Sequence, residues 1–326
     1  MKKSLLLSLF LSFILILSGG SIQTTAQTVT PSTPIDPIDI SVIAKGQAPF
    51  WSAVKLGVET AAKDYGVQAV FEAPPRESPP DIITQLNLLR RALAKKPEVI
   101  ALAAINSKVV TPFLEQARDA GIPVIGFDSG VDSPIVKTTV ATDNYAAGQL
   151  AAHKMAELIN EEGKAALIVQ DQTSQSALDR NKGFSDTLKE KYPNIELLPV
   201  QNSLGDIERA ALLTKELILA NPDIKGIFAT NEGTSEGVIN VVCELNKAGQ
   251  IKVIGFDSGK ALLDGIREGI VSGAITQNPI AMGYKTIETA IKAYNGEALP
   301  TFIDTGFEWY DKSNMDSPEI SPLLYE

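Results

Sequence analysis

Short apolar segments alternate with amphipathic segments along most of the chain. The apolar segments, such as ISVIAKG from Ile40 and VIALAAI from Val99, are rich in branched residues, which favours buried strands. Between them, apolar residues recur at helical spacing, for example at Val54, Val58 and Ala62. Buried strands that alternate with helices predict an α/β protein whose parallel sheets are covered by helices on both faces.

The same series of segments occurs twice. PEVIALAAIN at 97–106 is matched by PDIKGIFATN at 222–231, and VIGFDSG, which contains Asp128, occurs again around Asp257. Both pairs are separated by nearly the same number of residues, which indicates an internal duplication. We therefore predict two similar, doubly wound parallel-sheet lobes, with Asp128 and Asp257 at matched positions.

Polar residues stand where the predicted strands end. Asp128, Asn231 and Asp257 each follow a strand directly, and ligands of open α/β sheets bind outside the carboxyl ends of strands. Phe50 and Trp51 follow the first strand, and since neighbouring helix residues cannot both face a core, one ring is expected at the cleft. A hydroxyl group both donates and accepts hydrogen bonds, so this mixture favours a small neutral polyol over a lipid or a nucleotide.

The composition removes several other classes of ligand. The 326 residues carry a formal charge of −10, and the clustered Lys and Arg that nucleic acid requires are absent. The single His (His153) and the single Cys (Cys243) exclude His-cluster and Cys-based metal sites and an internal disulfide. We expect no metal, no cofactor and no nucleic-acid partner, and we interpret Cys243, in VINVVCEL, as a small core residue.

The first residues have the order of a secretory signal. Lys2 and Lys3 precede the apolar run 5–17, and small residues follow it. We predict a signal peptide at 1–26 and a flexible tether at 27–38, and hence a periplasmic or extracellular protein. A lipoprotein would carry its lipidated Cys where Gly20 stands, so a membrane-anchored form is expected only if Gly20 replaces an original Cys.

Several motifs occur in a characteristic order between about residues 41 and 312: APFW, GIPVIGFDSG, VATDNYAAG, SALDRNKGF, IFATNEG, VIGFDSG and ITQNP. With these the chain resembles the periplasmic ribose- and allose-binding proteins of sugar ABC transporters, in the type I periplasmic binding superfamily. The resemblance implies two lobes joined by a three-strand hinge. It implies an N-terminal lobe of 39–142 plus 278–306, a C-terminal lobe of 143–277 plus 307–326, and crossovers at Asp143-Asn144, Ser258-Gly259 and Asn278-Pro279.

The resemblance also implies the residues of the ligand site. The substrate-binding set that it implies is Phe50, Trp51, Asp128, Arg180, Asn231, Asp257 and Gln277, and Lys45, Ser129 and Glu232 are further candidates. The sequence departs from the family pattern at Ala48, Ser129 and Gly205, where an Asn, a charged residue and an aromatic residue are common. These smaller side chains would leave room for a larger or differently oriented sugar.

The function implied is capture of a monosaccharide, an aldopentose or aldohexose of the ribose or allose type. A monomer would deliver it to an ABC permease by hinge closure. A sugar-sensing receptor for chemotaxis or a sensor kinase remains an alternative, as does another polyol or small polar solute. A serine hydrolase is a third, since 233–237 match G-x-S-x-G between a strand and a helix. His153 precedes this motif, against the order of that fold, so we assign no catalytic residue and predict that the chain is not an enzyme.

Overall fold

The computed structural model describes residues 37–325, which form two lobes, each built on a largely parallel sheet between helices. The predicted α/β class and the predicted pair of lobes are confirmed. The predicted signal peptide at 1–26, and the predicted tether as far as Asp36, lie outside the described residues. No helix within 37–325 combines the length and the apolar character needed to cross a membrane.

The first lobe contains a six-stranded parallel sheet with the strand order β12-β5-β4-β3-β1-β2. Its strands are β1 Asp39–Ile43, β2 Gln68–Glu72, β3 Val99–Leu102, β4 Val124–Phe127, β5 Val136–Ala141 and β12 Phe302–Asp304. Helices α1 Pro49–Tyr65 and α9 Pro279–Tyr294 pack together on one face, and α2 Ile82–Lys95 and α3 Thr111–Asp119 cover the other. Successive residues of β3 are buried against opposite faces, which is why the strand is apolar throughout.

The second lobe repeats this plan with the strand order β13-β11-β10-β9-β6-β7, and β8 pairs with β6. Its strands are β6 Gly163–Val169, β7 Ile195–Leu197, β8 Gln201–Asn202, β9 Ile224–Ala229, β10 Lys252–Phe256, β11 Gly273–Gln277 and β13 Phe307–Tyr310. Helices α4 Asn144–Leu158 and α5 Gln175–Lys191 cover one face, and α6 Ile207–Ala220, α7 Glu232–Glu244 and α8 Lys260–Glu268 cover the other. Strand β13 is antiparallel to β11, whereas its counterpart β12 is parallel to β5.

The duplication seen in the sequence is a duplication of the fold. The two VIGF strands, β4 and β10, hold the same place in their sheets, third in each strand order. The next strand along the chain, β5 or β11, flanks each of them on the same side. The matched sequence segments therefore bring the ends of β4 and β10 to equivalent positions, one in each lobe.

The chain passes between the sheets at three places. Two of them are the predicted Asp143-Asn144, between β5 and α4, and Asn278-Pro279, between β11 and α9. The predicted crossover at Ser258-Gly259 is wrong, because these residues join β10 to α8 inside the second lobe. The third crossing is Thr305-Gly306, between β12 and β13. At each of the other two crossings a helix begins, and its start can be recognised in the sequence. The connection from β12 to β13 contains no helix, so the sequence gives no such signal there.

The prediction that Cys243 belongs to the core is also wrong. Cys243 is exposed on α7, whereas its neighbours Val241 and Val242 are buried. The apolar run VINVVCEL covers more than two helical turns, so some of its residues must point away from the sheet. Which residues of α7 are buried depends on which face of the helix is turned to the sheet, and the apolar composition of the run alone does not reveal this face.

Candidate ligand-binding cleft

A cavity of about 560 Å³ lies between the lobes, where the loops after the strands of both sheets meet. Small-molecule sites usually measure about 300–1,000 Å³. The cavity is lined by all seven residues of the predicted set, which are Phe50, Trp51, Asp128, Arg180, Asn231, Asp257 and Gln277. Of the further candidates, Lys45 and Glu232 line it, whereas Ser129 does not. The structure thus brings the predicted residues together, and their contact with a ligand stays a prediction.

Asp128 and Asp257 reach the cavity from opposite lobes with the same backbone geometry. Both have a positive φ, 53° for Asp128 and 77° for Asp257, a conformation that Asp tolerates better than most residues. The N–H of Asp128 donates to Val140 O at 3.0 Å, and that of Asp257 donates to Ile275 O at 2.8 Å. Each aspartate thus extends the ladder to the neighbouring strand and then turns the chain at the edge of the cavity.

The Asp257 carboxylate is held on both oxygens. Gln277 Nε2 donates to Oδ1 at 2.8 Å, and the backbone N–H of Glu232 donates to Oδ2 at 3.1 Å. Tyr310 Oη donates to the backbone oxygen of Asp257 at 2.7 Å. Burial raises the pKa of Asp257, and the charge of Arg180 and the hydrogen bonds from Gln277 and Glu232 act in the opposite direction. The carboxylate is therefore fixed in orientation before a ligand arrives.

Arg180 is buried beside this carboxylate. Its Nε donates to Asn144 Oδ1 at 2.8 Å and its Nη1 donates to Thr230 O at 2.7 Å. The guanidinium carbon lies 3.5 Å from the ring centroid of Phe256, so the group is stacked as well as hydrogen bonded. Because a guanidinium carries five N–H donors, Arg180 can keep these contacts and also donate to a molecule in the cavity.

Lys45 forms the centre of a buried charge cluster. Its Nζ lies 2.7 Å from Glu77 Oε1 and 3.0 Å from Asp128 Oδ2. It also donates to Ser129 Oγ at 3.0 Å and, in the second lobe, to Ser176 Oγ at 3.4 Å. Burial by itself would lower the pKa of Lys45, but the charges of Asp128 and Glu77 outweigh it and raise this pKa above the ordinary value. The ammonium therefore stays charged and neutralises carboxylates.

Glu232 links the lobes at the first turn of α1. It follows Asn231, whose Oδ1 accepts from Thr234 N at 3.0 Å and so caps α7. The backbone N–H of Phe50 has no partner inside its own helix because it belongs to the first turn, and it lies close enough to the Glu232 carboxyl group to act against the rise of its pKa. Burial, reinforced by the charge of Asp257, raises the pKa of Glu232 to about 7. Its Oε2 is buried without a hydrogen-bond partner among the described residues.

Both aromatic residues of the predicted set are buried, with exposed fractions of 5% for Phe50 and 2% for Trp51. Their ring centroids are 5.0 Å apart at 86°, and Trp51 Nε1 donates to Glu77 Oε2 at 3.3 Å. We expected one ring at the cleft and the other in the core, whereas both rings line the cavity and both belong to the core of the first lobe. Helix α1 begins at the cleft, so residues of the second lobe cover a face of its first turn that an isolated lobe would leave open.

Sequence reasoning missed the loop between β2 and α2, which contributes Pro75, Arg76 and Glu77 to the cavity. The prolines of this loop indicated a connector. However, the loop follows the carboxyl end of β2, next to β1, and the strand-end rule would have included it. The loop touches the second lobe, because a Cβ placed on Gly205 would lie only 2.1 Å from Glu77 O.

The hydrolase alternative finds no support in the geometry of its motif. Ser235, the central residue of 233–237, is buried, and its hydroxyl donates to Asn231 O at 2.8 Å. The backbone N–H of Phe256 donates to the same hydroxyl at 3.3 Å. His153 lies on α4, where its Nδ1 is 2.7 Å from Tyr192 Oη. The serine is therefore part of the packing between α7 and β10.

Comparison with known proteins agrees with this architecture. Residues 38–298 match the family described as periplasmic binding protein domain. A solute-binding protein of an ABC transporter from Agrobacterium vitis, solved with bound D-fucose, is 32% identical, with a TM-score of 0.84 over 88% of this chain and 100% of that chain. A carbohydrate transporter solute-binding protein from Agrobacterium radiobacter, in complex with D-arabinose, is 31% identical, with a TM-score of 0.84 over 89% of this chain and 99% of that one.

A curated relative gives the same result. The ribose import binding protein of Bacillus subtilis is 24% identical over 252 residues, which cover 77% of this chain and 79% of the relative. All three proteins are named as binding proteins, and on that comparison the prediction that this chain is not an enzyme is confirmed. The resemblance to the sugar-binding proteins of ABC transporters is confirmed as well. The chain belongs to the periplasmic binding protein domain family.

Proposed function

We propose that this protein is an exported solute-binding protein, which captures a monosaccharide between its lobes and delivers it to an ABC permease. The observation that carries the proposal is the cavity itself. Two equivalent aspartates, one from each lobe, line it together with Arg180, Asn231 and Gln277. This set supplies both acceptors and donors at fixed positions, as recognition of sugar hydroxyl groups requires.

The charge of the cleft favours an uncharged sugar. The carboxyl groups that line the cavity outnumber its cations. The acidic residues are Glu77, Asp128, Asp206, Glu208, Glu232 and Asp257, and the basic residues are Lys45, Arg76 and Arg180. Each of these cations already has a polar partner in the protein, which is Asp128 for Lys45, Asn144 for Arg180 and Asp81 for Arg76. A sugar acid or a sugar phosphate would add negative charge without a free cation to balance it, whereas hydroxyl groups can donate to the carboxylates. We therefore assign the ligand to the neutral aldopentoses and aldohexoses.

The relatives support this class of ligand. The two Agrobacterium proteins were solved with D-fucose and D-arabinose, a deoxyaldohexose and an aldopentose, and the Bacillus subtilis relative is named for ribose import. The small side chain of Ala48 borders the cavity, whereas the position of a side chain at Gly205 is taken by Glu77 O. We expect the cavity to accept an aldohexose as well as an aldopentose.

Delivery in this proposal depends on closure of the lobes about the three crossings. The lobes touch through Ser129 Oγ and Ser176 Oγ, 2.5 Å apart, and through the N–H of Ser107, which donates to Thr173 O at 3.2 Å. A ligand that contacts both lobes stabilises this arrangement relative to an open one, because an open protein makes only part of those contacts. The permease would then recognise the spacing of the two lobes of a monomer.

A binding screen tests the proposal. The purified protein would be examined by thermal shift and calorimetry with D-fucose, D-arabinose, D-ribose, D-allose and D-galactose, with galacturonate and amino acids as controls. We expect at least one neutral aldose to bind with micromolar affinity, about −8 kcal/mol, and galacturonate to bind much more weakly. Binding of amino acids or galacturonate in preference to every aldose would contradict the proposal. Stimulation of permease ATP hydrolysis by the sugar-loaded protein would test delivery.

A further inference from the structure

The segment that follows β13, residues 311–325, lies along the second lobe and is here named the strap. Met315 and Ile320 are buried in the core of that lobe. Thr276 Oγ1, at the end of β11, donates to Leu323 O at 3.2 Å. Leu324 packs against the same core. The strap is thus anchored to the second lobe along its length.

Tyr325, by contrast, reaches the first lobe. Its backbone N–H still donates to Ser258 Oγ of the second lobe at 3.0 Å. Its ring packs against the core of the first lobe, with its centroid 6.1 Å from that of Phe50 at an interplanar angle of 61°. The phenol oxygen is buried and has no hydrogen-bond partner among the described residues. Burial, reinforced by the charges of Asp257 and Glu232, raises its pKa well above the ordinary value, so the phenol stays neutral.

Phe50 is therefore contacted twice from the second lobe. Tyr325 packs against its ring, and the Glu232 carboxyl group lies beside its backbone N–H. Phe50 in turn packs edge-to-face on Trp51, and Trp51 Nε1 donates to Glu77. A displacement of the Phe50 ring would thus be transmitted to the groups that line the cavity.

We propose that Tyr325 is a positioning residue of the ligand site, which acts through Phe50. Its ring fixes the first turn of α1 against the second lobe and so holds Phe50 and Trp51 in the arrangement that closes the cavity. The burial of an unpartnered hydroxyl agrees with this role, because burial of such a group costs free energy and the ring contact must offset it. Only the sugar-binding test of this inference rests on the proposed function.

The binding test compares three variants. Tyr325→Ala removes the ring, Tyr325→Phe keeps the ring and removes the unpartnered hydroxyl, and Leu324→Ala removes strap packing that does not reach Phe50. Affinities for D-fucose, D-arabinose and D-ribose would be measured by calorimetry, and stabilities by urea unfolding. We expect Tyr325→Ala to weaken binding about tenfold or more, and we expect Tyr325→Phe and Leu324→Ala to bind like the parent. Parental affinity in Tyr325→Ala, or a loss in Tyr325→Phe as large as that in Tyr325→Ala, would overturn the proposal.

A second readout needs no sugar. The sequence contains two tryptophans, Trp51 and Trp309, so a Trp309→Phe background leaves Trp51 as the only reporter. In this background we expect Tyr325→Ala to shift the Trp51 emission to the red and to raise its quenching by acrylamide, while Tyr325→Phe leaves both unchanged. If this signature appears and no aldose binds the parent, the positioning role stands and the proposed function fails. If an aldose binds and Tyr325→Ala alters neither emission nor affinity, the positioning role fails.

Discussion

At the scale of single residues, the cleft contains buried charges that are balanced by nearby side chains of opposite charge. Lys45 is 2% exposed and lies between two carboxylates, Glu77 and Asp128. Removal of one member of such a cluster leaves the others buried without a counter-charge, which costs more than loss of an exposed ion pair. Lys45 therefore contributes both to the ligand cavity and to the stability of the first lobe.

Substitution of Lys45 by Met tests this balance. We expect Lys45→Met to lower the free energy of unfolding by about 3–5 kcal/mol, because the buried Asp128 and the half-buried Glu77 lose their counter-charge. Urea unfolding measures the loss. Lys55→Met is the control, since Lys55 is 51% exposed and pairs with Glu59 on the surface of α1, where a change within about 0.5 kcal/mol is expected. Equal losses in the two variants would contradict the assigned role.

The second prediction at this scale concerns the Asp257 carboxylate. Asp257 has a φ of 77°, a conformation that Asn also tolerates. Asp257→Asn therefore removes the charge without adding backbone strain. Hydrogen bonds to charged groups contribute about 1.5–3 kcal/mol, and we expect affinity for the best aldose of the screen to fall at least tenfold. Calorimetry measures this change, with the exposed Asp223→Asn as control. Unchanged affinity would remove Asp257 from the site.

At the scale of elements, the first turn of α1 is completed by the other lobe. Helix α1 begins at Pro49, whose missing N–H suits the first helical position, and Ala48 before it provides no side-chain cap. The carboxyl group of Glu232 lies beside the N–H of Phe50 from across the cleft. A helix start that its own lobe leaves incomplete thus becomes a contact between lobes.

This contact predicts a pH dependence. The pKa of Glu232 rises from its ordinary 4.5 to about 7 in the folded protein, so the folded state binds more protons than the unfolded chain between these values. The free energy of unfolding should therefore increase as pH falls from about 8 toward 5. Asp257, whose pKa is also raised, acts in the same direction.

Melting temperatures at pH 8, 7, 6 and 5 check the sign. In Glu232→Gln the melting temperature should depend less on pH than in the parent. Some dependence should remain, because the raised pKa of Asp257 still contributes. Glu244→Gln, at the exposed end of the same helix, should leave the parental slope unchanged. A parent whose melting temperature increases steadily from pH 5 to pH 8, or a Glu232→Gln variant with the parental slope, would contradict the assignment.

A further prediction at this scale concerns the loops that meet across the cleft. Gly205 has a φ of 68°, and a Cβ added there would lie 2.1 Å from Glu77 O in the other lobe. Gly66, at the end of α1, has a φ of 67°, and a Cβ added there meets nothing within 4 Å. Both alanine variants carry the same backbone strain, about 1 kcal/mol. We expect Gly205→Ala alone to weaken sugar binding about tenfold or more, as measured by calorimetry. Equal affinities in the two variants would refute the proposed contact between loops.

At the scale of the whole molecule, the proposed capture and delivery require relative movement of the lobes. Ser129 Oγ and Ser176 Oγ face each other across the cleft at 2.5 Å. Cysteines at both positions, with Cys243→Ser to remove the exposed native thiol, should form a disulfide that holds the lobes together. We expect the oxidised protein to exchange sugar far more slowly than the reduced one. Rapid exchange in the fully oxidised protein would show that sugar enters without separation of these residues.

Small-angle scattering gives an independent check on closure. We expect the radius of gyration of the parent to fall when the best aldose of the screen is added, and that of the oxidised double-cysteine protein to stay constant. The Ser129→Ala, Ser176→Ala double variant, which cannot form the bridge, is the control and should respond like the parent. An identical radius with and without sugar in the parent would contradict hinge closure.

Much of the fold could be predicted because it depends on patterns within short segments of the sequence. The apolar strands, the helical spacing between them and the repeated VIGFDSG are all properties of short windows, and the duplication follows from two such windows. The candidates at strand ends came from a general property of parallel sheets, which is why Asp128, Asn231 and Asp257 were found. Glu77 was not predicted, because the prolines of its loop indicated only a connector, although this loop also follows a strand.

The class of fold, the twin lobes and nine of the 21 residues that line the cleft could be predicted from the sequence alone. The pairing of these groups became visible only in the folded chain: Lys45 with Glu77, Glu232 with the first turn of α1, and Tyr325 with Phe50. Each of these pairs joins residues that are far apart in the chain, and two of them join different lobes. Periodicity and turn chemistry report the neighbours of a residue along the chain, whereas burial, charge balance and pKa depend on its neighbours in space.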